Sequence, residues 1–168
     1  MDKGIDLLIT VARRLEKELP ADKIRFQLAG DGPLLATIKA AGVPSNVELL
    51  GRVDDERLFE LYTDCDVFVL PTRFEGMPTV VLEAMARACP IIVSDVGATA
   101  ELVDGTNGSL LPSGDPEALY LALKRMLDAS PGERQAMGMA SYQRCAARFD
   151  WHKVADHFVD LFTSMARR

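Results

Sequence analysis

Two glutamates are the residues in this sequence whose type and spacing best suit chemistry. Glu75 and Glu83 stand eight positions apart within the stretch 71–90, PTRFEGMPTVVLEAMARACP. Glu75 falls in a turn that contains a glycine and a proline, whereas Glu83 falls about one turn into a helix predicted over 79–88. Because carboxylates accept hydrogen bonds from hydroxyl groups, the pair is suited to holding sugar rings.

The start of the predicted helix offers a second kind of group. An unbroken apolar run, Val67–Leu70, precedes the turn and predicts a strand buried on both faces. A helix that follows such a strand leaves several backbone N–H groups unpaired at its N-terminus, and these attract anions such as phosphate. The stretch therefore predicts a ligand with phosphate in its middle and a polyol at each end. The alternative is two solvated acids near a helix end.

These motifs resemble the C-terminal, donor-binding half of a GT-B retaining glycosyltransferase of family 4. The E-x7-E pair matches that family, as do the EGMP turn, the VLEAMA helix, the strand Pro90–Val93, the segment Glu101–Val103 and Gly108. The resemblance covers nearly the whole chain. It implies one domain over 1–168, with a core to about 148 and a last helix, 149–168, that crosses back toward an N-terminal domain.

Two smaller expectations follow from the same comparison with the family. Ala88 stands where relatives often have glycine, and we expect the helix to tolerate the exchange. Phe149 and Trp151 flank Asp150, the predicted cap of the last helix, and we expect the two aromatic rings to pack that helix onto the fold.

The resemblance also implies a role for each matching position. Glu83 is expected to accept hydrogen bonds from the ribose hydroxyls, and Glu75, the catalytic candidate, to contact the donor sugar near its reacting carbon. The amides of Gly76 and Met77 would meet the sugar hydroxyls, and the first amides of the helix would meet the diphosphate. The expected donor-binding residues are Lys3, Gly30, Arg52, Val53, Glu75, Gly76, Met77, Pro78, Thr79, Val80 and Glu83.

Four of these positions lie outside the central stretch. Gly30 lies in a Gly-x-Gly-Pro turn after a predicted strand, where a plain tight turn is an equally good interpretation. Arg52 and Val53 follow another strand, at the edge where open α/β sheets bind ligands, although Arg52 also fits a solvated strand-end charge. Lys3 matches the family's phosphate-binding lysine. The resemblance thus implies stabilisation of the leaving diphosphate by cations, with no metal and no other cofactor.

Strands alternate with helices along the chain, which predicts an α/β fold with a Rossmann-like, doubly wound parallel sheet. Five strands are predicted, over 24–29, 46–50, 67–70, 91–94 and 107–111. The resemblance implies six, and the first, central strand has no counterpart here. Its absence would leave a gap between strands 24–29 and 67–70. We expect either direct pairing of these two strands or a missing strand supplied by another chain, such as a second copy in a homodimer.

Composition excludes several classes of protein. The 168 residues, 48% hydrophobic and 26% charged, predict one soluble globular domain. The net charge of −6 argues against nucleic-acid binding, and no apolar run reaches the length of a membrane span. Cys65, Cys89 and Cys145 are scattered, and reduced thiols in a cytoplasmic protein are the simplest account. The resemblance adds a peripheral location at the inner membrane surface, where relatives use lipid-linked acceptors.

The function implied by the resemblance is sugar transfer. The chain would bind the nucleoside-diphosphate sugar donor of a retaining hexosyltransferase, whose acceptor is a hydroxyl of a saccharide or a lipid-linked molecule. An N-terminal acceptor domain is the expected partner, and we expect the isolated chain to be inactive without it. Two alternatives stay open: a GT-B sugar-nucleotide epimerase or hydrolase, and a noncatalytic nucleotide-binding module.

Overall fold

The computed structural model describes residues 3–166, so the first two and last two residues of the expected domain lie outside it. The strands are β1 Phe26–Ala29, β2 Val47–Gly51, β3 Phe68–Leu70, β4 Ile91–Ser94 and β5 Gly108–Leu111. The helices are α1 Ile5–Glu18, α2 Leu34–Ala40, α3 Asp55–Asp64, α4 Thr79–Ala86, α5 Thr99–Leu102, α6 Pro116–Asp128, α7 Pro131–Arg148 and α8 Trp151–Ala166.

All five predicted strands are present, with their ends shifted by no more than two residues. Local capping signals explain why several helix starts were predictable. Asp115 accepts hydrogen bonds from the first amides of α6, and Ser130 and Glu133 form a reciprocal capping box at the start of α7. Asp150 accepts from the amide of His152 at the start of α8.

The strands are parallel and lie between two layers of helices. In β4 successive side chains point to opposite faces, because the side-chain period of a strand is two residues. Ile92 packs in the cluster that contains α1 and α6, whereas Ile91 and Val93 pack in the cluster that contains α4. This arrangement confirms the predicted doubly wound α/β fold.

The sheet is divided into two parts. β1 pairs with β2, and β3, β4 and β5 pair in that order, but β1 and β3 do not pair with each other. The predicted gap is therefore present, and the expectation that the two flanking strands close it by direct pairing is wrong. A groove of about 840 Å³ separates them. We call it the inter-strand groove.

Apolar side chains cover the inter-strand groove on both faces. Its long walls are the residues of β1 and β3. One face is covered by α1 and α6 and the other by α3, through Ile5, Leu8, Leu123, Met126, Leu58, Leu61 and Tyr62. The edges of β1 and β3 therefore face each other across a space that these helices cover. The space suits one more strand with apolar side chains on both faces.

The C-terminal end of α4 differs from the prediction. The helix ends at Ala86, and Ala88 lies beyond it with φ 58°. This left-handed conformation at the end of a helix favours glycine, because a Cβ is crowded there. The expectation that Ala88 lies inside the helix was therefore wrong.

Replacing Ala88 by glycine should stabilise the protein by about 0.5–1 kcal/mol, since it relieves the left-handed strain. For a domain of this size, the melting temperature should rise by about 1–4 °C in a thermal scan. Ala86→Gly is the matched control. It lies in helical backbone and should lower stability by about 1 kcal/mol. A loss of stability in both variants would contradict the prediction.

The last helix carries exposed apolar side chains. Phe149 packs beside the cluster around α4, as expected, but Trp151 is 83% exposed, so the expectation that it packs is wrong. Other large apolar side chains of α8 are also exposed to solvent, namely Phe158, Val159, Leu161, Phe162 and Met165. None of the helices within residues 3–166 is sufficiently long and apolar to span a bilayer.

Candidate functional site

The turn between β3 and α4, residues 71–78, carries Glu75. We call it the site turn. The Glu75 side chain is 6% exposed and accepts a hydrogen bond at Oε1 from the Lys3 ammonium group. Lys3 itself is 39% exposed. The structure therefore brings together two predicted donor-binding residues that lie 72 positions apart in the sequence.

The start of α1 also holds the site turn. The Arg73 guanidinium donates to both carboxylate oxygens of Asp6, at 2.9 and 2.8 Å. Gly4 lies directly against the carbonyl oxygen of Pro71, so closely that a Cβ would overlap it. Contacts from Lys3, Gly4 and Asp6 thus attach the site turn to the N-terminus of α1.

The pair of Asp6 and Arg73 predicts a specific pH dependence. The Arg73 guanidinium holds the pKa of Asp6 below its usual value, despite partial burial that acts the other way. A depressed folded-state pKa contributes stability that is complete above the unfolded pKa of about 3.9 and is lost as pH falls below it. The urea midpoint of the native protein should therefore exceed that of Asp6→Asn above about pH 5, and the difference should shrink progressively as the pH falls below about 4.

Asp22→Asn is the control for this titration, because Asp22 is exposed in the turn after α1. Its midpoint should follow that of the native protein at every pH. A difference between Asp6→Asn and the native protein that stays constant down to pH 2.5 would show that the ion pair does not contribute to stability.

The loop after β4 supports the site turn from the other side. Gly97 has φ 58°, and a Cβ placed there would overlap the carbonyl oxygen of Glu75. The amide of Ala98 donates to the carbonyl oxygen of Gly76 at 2.9 Å. Within the turn itself, buried Thr72 donates through its hydroxyl to the carbonyl of Phe74 at 3.2 Å. The site turn is thus held from both ends.

The N-terminus of α4 follows the site turn and has no side-chain cap. Pro78 stands at the cap position, where no side chain accepts a hydrogen bond from the helix amides. Gly76, Met77 and Thr79 are exposed, Val80 is half-buried and Pro78 is buried. Uncapped amides at a helix start carry a partial positive charge. The arrangement is therefore suited to binding an anion.

Glu83 lies one helical turn after Thr79, on the same face of α4. Its Oε2 accepts a hydrogen bond of 3.1 Å from the hydroxyl of Tyr62, a residue of α3 that is 4% exposed. Burial and the nearby Glu83 carboxylate raise the pKa of Tyr62, so its hydroxyl keeps its proton and remains a donor. Sequence reasoning missed Tyr62, because nothing in the spacing of the two residues links α3 to α4.

Several predicted residues outside the site turn lie on the inter-strand groove. The groove is lined by Lys3, Gly30, Arg52, Val53 and Val80, among others. Gly30 directly follows β1, and its amide donates to the carbonyl of Gly51 at 2.7 Å. Arg52 is exposed, and within residues 3–166 it has no carboxylate partner. The remaining predicted residues, Glu75, Gly76, Met77, Pro78, Thr79 and Glu83, do not line the groove.

The described residues contain no cluster of three or more histidine, cysteine or acidic side chains that could hold a metal ion. Two carboxylates, each held by one partner, instead accompany the uncapped start of α4. Cations at Lys3 and Arg52 lie on the same groove. These groups can hold a ligand that combines anionic and hydroxyl groups.

Comparison with known proteins identifies the family. The family model described as "Glycosyl transferases group 1" matches residues 1–129. The chain belongs to this family. The family resemblance seen in the sequence is therefore confirmed.

Among curated group 1 relatives is the MMP alpha-(1->4)-mannosyltransferase of Mycolicibacterium hassiacum. It is 30% identical over 169 aligned residues, which cover 99% of this chain and 41% of the relative. The chain thus spans about two fifths of the length of the curated relatives it matches.

Solved structures of similar proteins share the fold. Sucrose-phosphate synthase from Thermosynechococcus elongatus superposes with a TM-score of 0.83 at 25% identity, covering 99% of this chain and 43% of the synthase. Anabaena HepE, solved in complex with UDP, gives a TM-score of 0.81 at 22% identity, over 96% of this chain and 45% of HepE. These likenesses confirm a Rossmann-like half-domain of the GT-B fold in this group 1 chain.

Proposed function

We propose that this chain binds the nucleoside-diphosphate sugar of a glycosyltransferase, which transfers a hexose with retention of configuration to a hydroxyl of a saccharide or lipid-linked acceptor. Family membership supports sugar transfer, and the UDP complex of Anabaena HepE supports a nucleotide donor. The whole protein would work with an N-terminal domain that binds the acceptor. Residues 1–148 would form the donor domain, and α8 would cross toward that partner domain.

One observation carries the proposal: the uncapped N-terminus of α4 lies between two glutamates that other side chains hold in position. The Tyr62 hydroxyl binds Oε2 of Glu83, which leaves Oε1 to accept from the two ribose hydroxyls. The amides of Thr79 and Val80 would bind the diphosphate, because the helix start favours negative charge. Gly30, Arg52 and Val53, which follow the carboxyl ends of β1 and β2, would border the base.

The pair of Lys3 and Glu75 would act at the sugar end of the donor. The Lys3 ammonium has three N–H donors, and Glu75 engages one of them. The remaining donors would bind phosphate oxygens and stabilise the charge that develops as the diphosphate leaves. Glu75 Oε2 would contact the donor sugar, with Gly76 and Met77 amides at its other hydroxyls. With Arg52 as a second cation, the chain would stabilise the leaving group through its own side chains.

Calorimetric titration of UDP, GDP and ADP into the protein tests the proposed function. One of the three is expected to bind, and adding EDTA should leave its affinity unchanged. Each corresponding nucleotide sugar should then be tested for binding in the same way. Absence of binding to all three nucleotides would reject a nucleotide-sugar site. Binding of a nucleotide but not of its sugar conjugates would favour the noncatalytic nucleotide-binding module.

We further propose that the inter-strand groove takes an extended apolar strand that precedes Lys3 and pairs with both β1 and β3. Gly4, just before α1, lies against Pro71, which directly follows β3. A strand leading into α1 would therefore end beside the carboxyl end of β3 and run parallel to it. The connection from that strand through α1 to β1 is an ordinary parallel crossover unit.

Joining six alternating valine and isoleucine residues ahead of Lys3 should raise the melting temperature by at least 5 °C, because both strand edges gain partners. The control is an extension of equal length made of serine and aspartate, which should change nothing. Sedimentation analysis tests whether a second copy of the chain supplies the strand instead. If the unextended chain forms a dimer that the apolar extension does not dissociate, a second copy is the occupant instead.

A further inference from the structure

Two of the three cysteines lie side by side although they are 24 positions apart. The sulfur atoms of Cys65 and Cys89 are 3.3 Å from each other. A disulfide bond is about 2.05 Å long, so the two sulfurs need to approach by little more than an ångström. Cys145 is different, because its thiol donates to the carbonyl of Leu82 at 3.6 Å. The fold therefore brings together two cysteines that are scattered in the sequence, whereas the Cys145 thiol has a different partner.

We propose that Cys65 and Cys89 form a reversible redox site that takes a low-molecular-weight disulfide, such as oxidised glutathione, as its oxidant. Both thiols lie at the end of α3, where Cys89 donates to the carbonyl of Tyr62 at 2.8 Å and Cys65 donates to it at 3.6 Å. Disulfides in reducing compartments are mostly transient and regulatory, and a half-buried thiol beside a buried one at this distance suits such a use.

Cys65 is the thiol that the oxidant meets first. It is half-buried, whereas Cys89 is 1% exposed. Cys65 lines the inter-strand groove and also a smaller cavity of about 190 Å³, beside an ion pair between Arg134 and Asp66. The hydrogen bond with Cys89 lowers the pKa of the Cys65 thiol, opposed by its burial and by Asp66. A lowered pKa favours the thiolate, which is the nucleophilic form.

The reaction proceeds by two exchange steps. The Cys65 thiolate attacks one sulfur of the small disulfide, which forms a mixed disulfide and releases one small thiolate. The Cys89 sulfur then attacks the Cys65 sulfur and its proton passes to the released thiolate, while the second small thiolate leaves and takes from solvent the proton that Cys65 gave up. Two protein thiols are oxidised and one small disulfide is reduced to two thiols, so atoms and electrons balance.

The cross-link would close a loop that contains β3, the site turn and α4. Closing a loop of this length reduces the freedom of the unfolded chain, so the oxidised protein should melt about 5–10 °C higher than the reduced protein. Oxidation would also remove the Cys89 donor from the carbonyl of Tyr62. The redox state is thereby connected to the part of the fold that holds Glu83.

The experiment treats the reduced protein with oxidised glutathione and counts free thiols under denaturing conditions. The count should fall from three to one, and thioredoxin with its reductase should restore it. Tryptic digestion without reduction should yield one disulfide-linked pair of peptides, residues 58–73 and 88–124. A count that stays at three, a stable glutathione adduct in place of the cross-link, or a link that involves Cys145 would overturn the proposal.

Three variants make the result specific. Cys145→Ser is the matched control and should lose two thiols and gain melting temperature as the native protein does. Cys65→Ser should retain both of its thiols without forming a cross-link, and its melting temperature should not respond to the oxidant. Because Cys89 is buried, Cys89→Ser can destabilise the fold; peptide mapping of the native protein therefore decides the matter independently. A rise in melting temperature for oxidised Cys65→Ser would count against the proposal.

Discussion

Glu83→Ala is expected to weaken binding of the preferred nucleoside diphosphate by about 30- to 100-fold. The substitution removes the carboxylate proposed to accept from two ribose hydroxyls, and the expected loss corresponds to about 2–2.7 kcal/mol for the two hydrogen bonds together. Glu75→Ala should change the affinity for the same nucleotide by less than threefold, because its proposed partner is the sugar. Calorimetry on the two variants measures the difference directly.

Two further variants support the interpretation. Glu56→Ala removes an exposed glutamate from the first turn of α3 and should leave affinity unchanged. Tyr62→Phe removes only the hydroxyl that holds Glu83, and we expect a loss of about three- to tenfold. That loss should disappear when Glu83 is already alanine. Equal nucleotide affinity for Glu75→Ala and Glu83→Ala would reject the division of roles between the two glutamates.

Gly97→Ala is expected to lower the free energy of unfolding by about 2–4 kcal/mol and to abolish measurable nucleotide binding. The new Cβ would overlap the Glu75 carbonyl oxygen and would lie 2.6 Å from that of Gly76. The left-handed backbone at Gly97 adds about 1–2 kcal/mol for any residue with a Cβ. The loop after β4 and the site turn would have to move away from each other. Urea unfolding and calorimetry check the two effects.

Gly105→Ala is the matched control for this substitution. Gly105 has ordinary backbone and no neighbouring atom within 4 Å of an added Cβ. It should retain both stability and nucleotide binding. If Gly97→Ala binds nucleotide as the native protein does, the contact between the loop and the site turn does not position the donor-binding groups.

Short-range signals explain why the elements could be predicted from the sequence. Asp115, Ser130 and Glu133 cap helices through residues two or three positions away, so their patterns are visible in the chain. Ala88 was misplaced for a related reason. The residues around it, rich in alanine, leucine and methionine, favour a helix, but the chain must turn after Ala86 toward β4. Tertiary packing decided the end of the helix there, against local propensity.

Long-range contacts explain what could not be predicted. The resemblance named Lys3 and Glu75 as separate ligands, but their direct ion pair depends on how α1 meets β3. Tyr62 and Cys89 lie on different elements, and their relation to Glu83 and Cys65 appears only once α3 packs against α4. The gap in the sheet was predictable by counting strands. That it stays open was not, because this depends on the helices that cover it.

The ion pairs that hold the site turn also differ in their sensitivity to ionic strength. Asp6 is 54% exposed, so salt at or above physiological concentration screens its attraction to Arg73. The carboxylate of Glu75 is shielded from solvent, and its bond to Lys3 is screened much less. In concentrated salt the ion pair of Asp6 and Arg73 should therefore weaken more than the bond between Lys3 and Glu75. Added electrolyte would thus act on one attachment of the site turn and spare the one that is shielded from solvent.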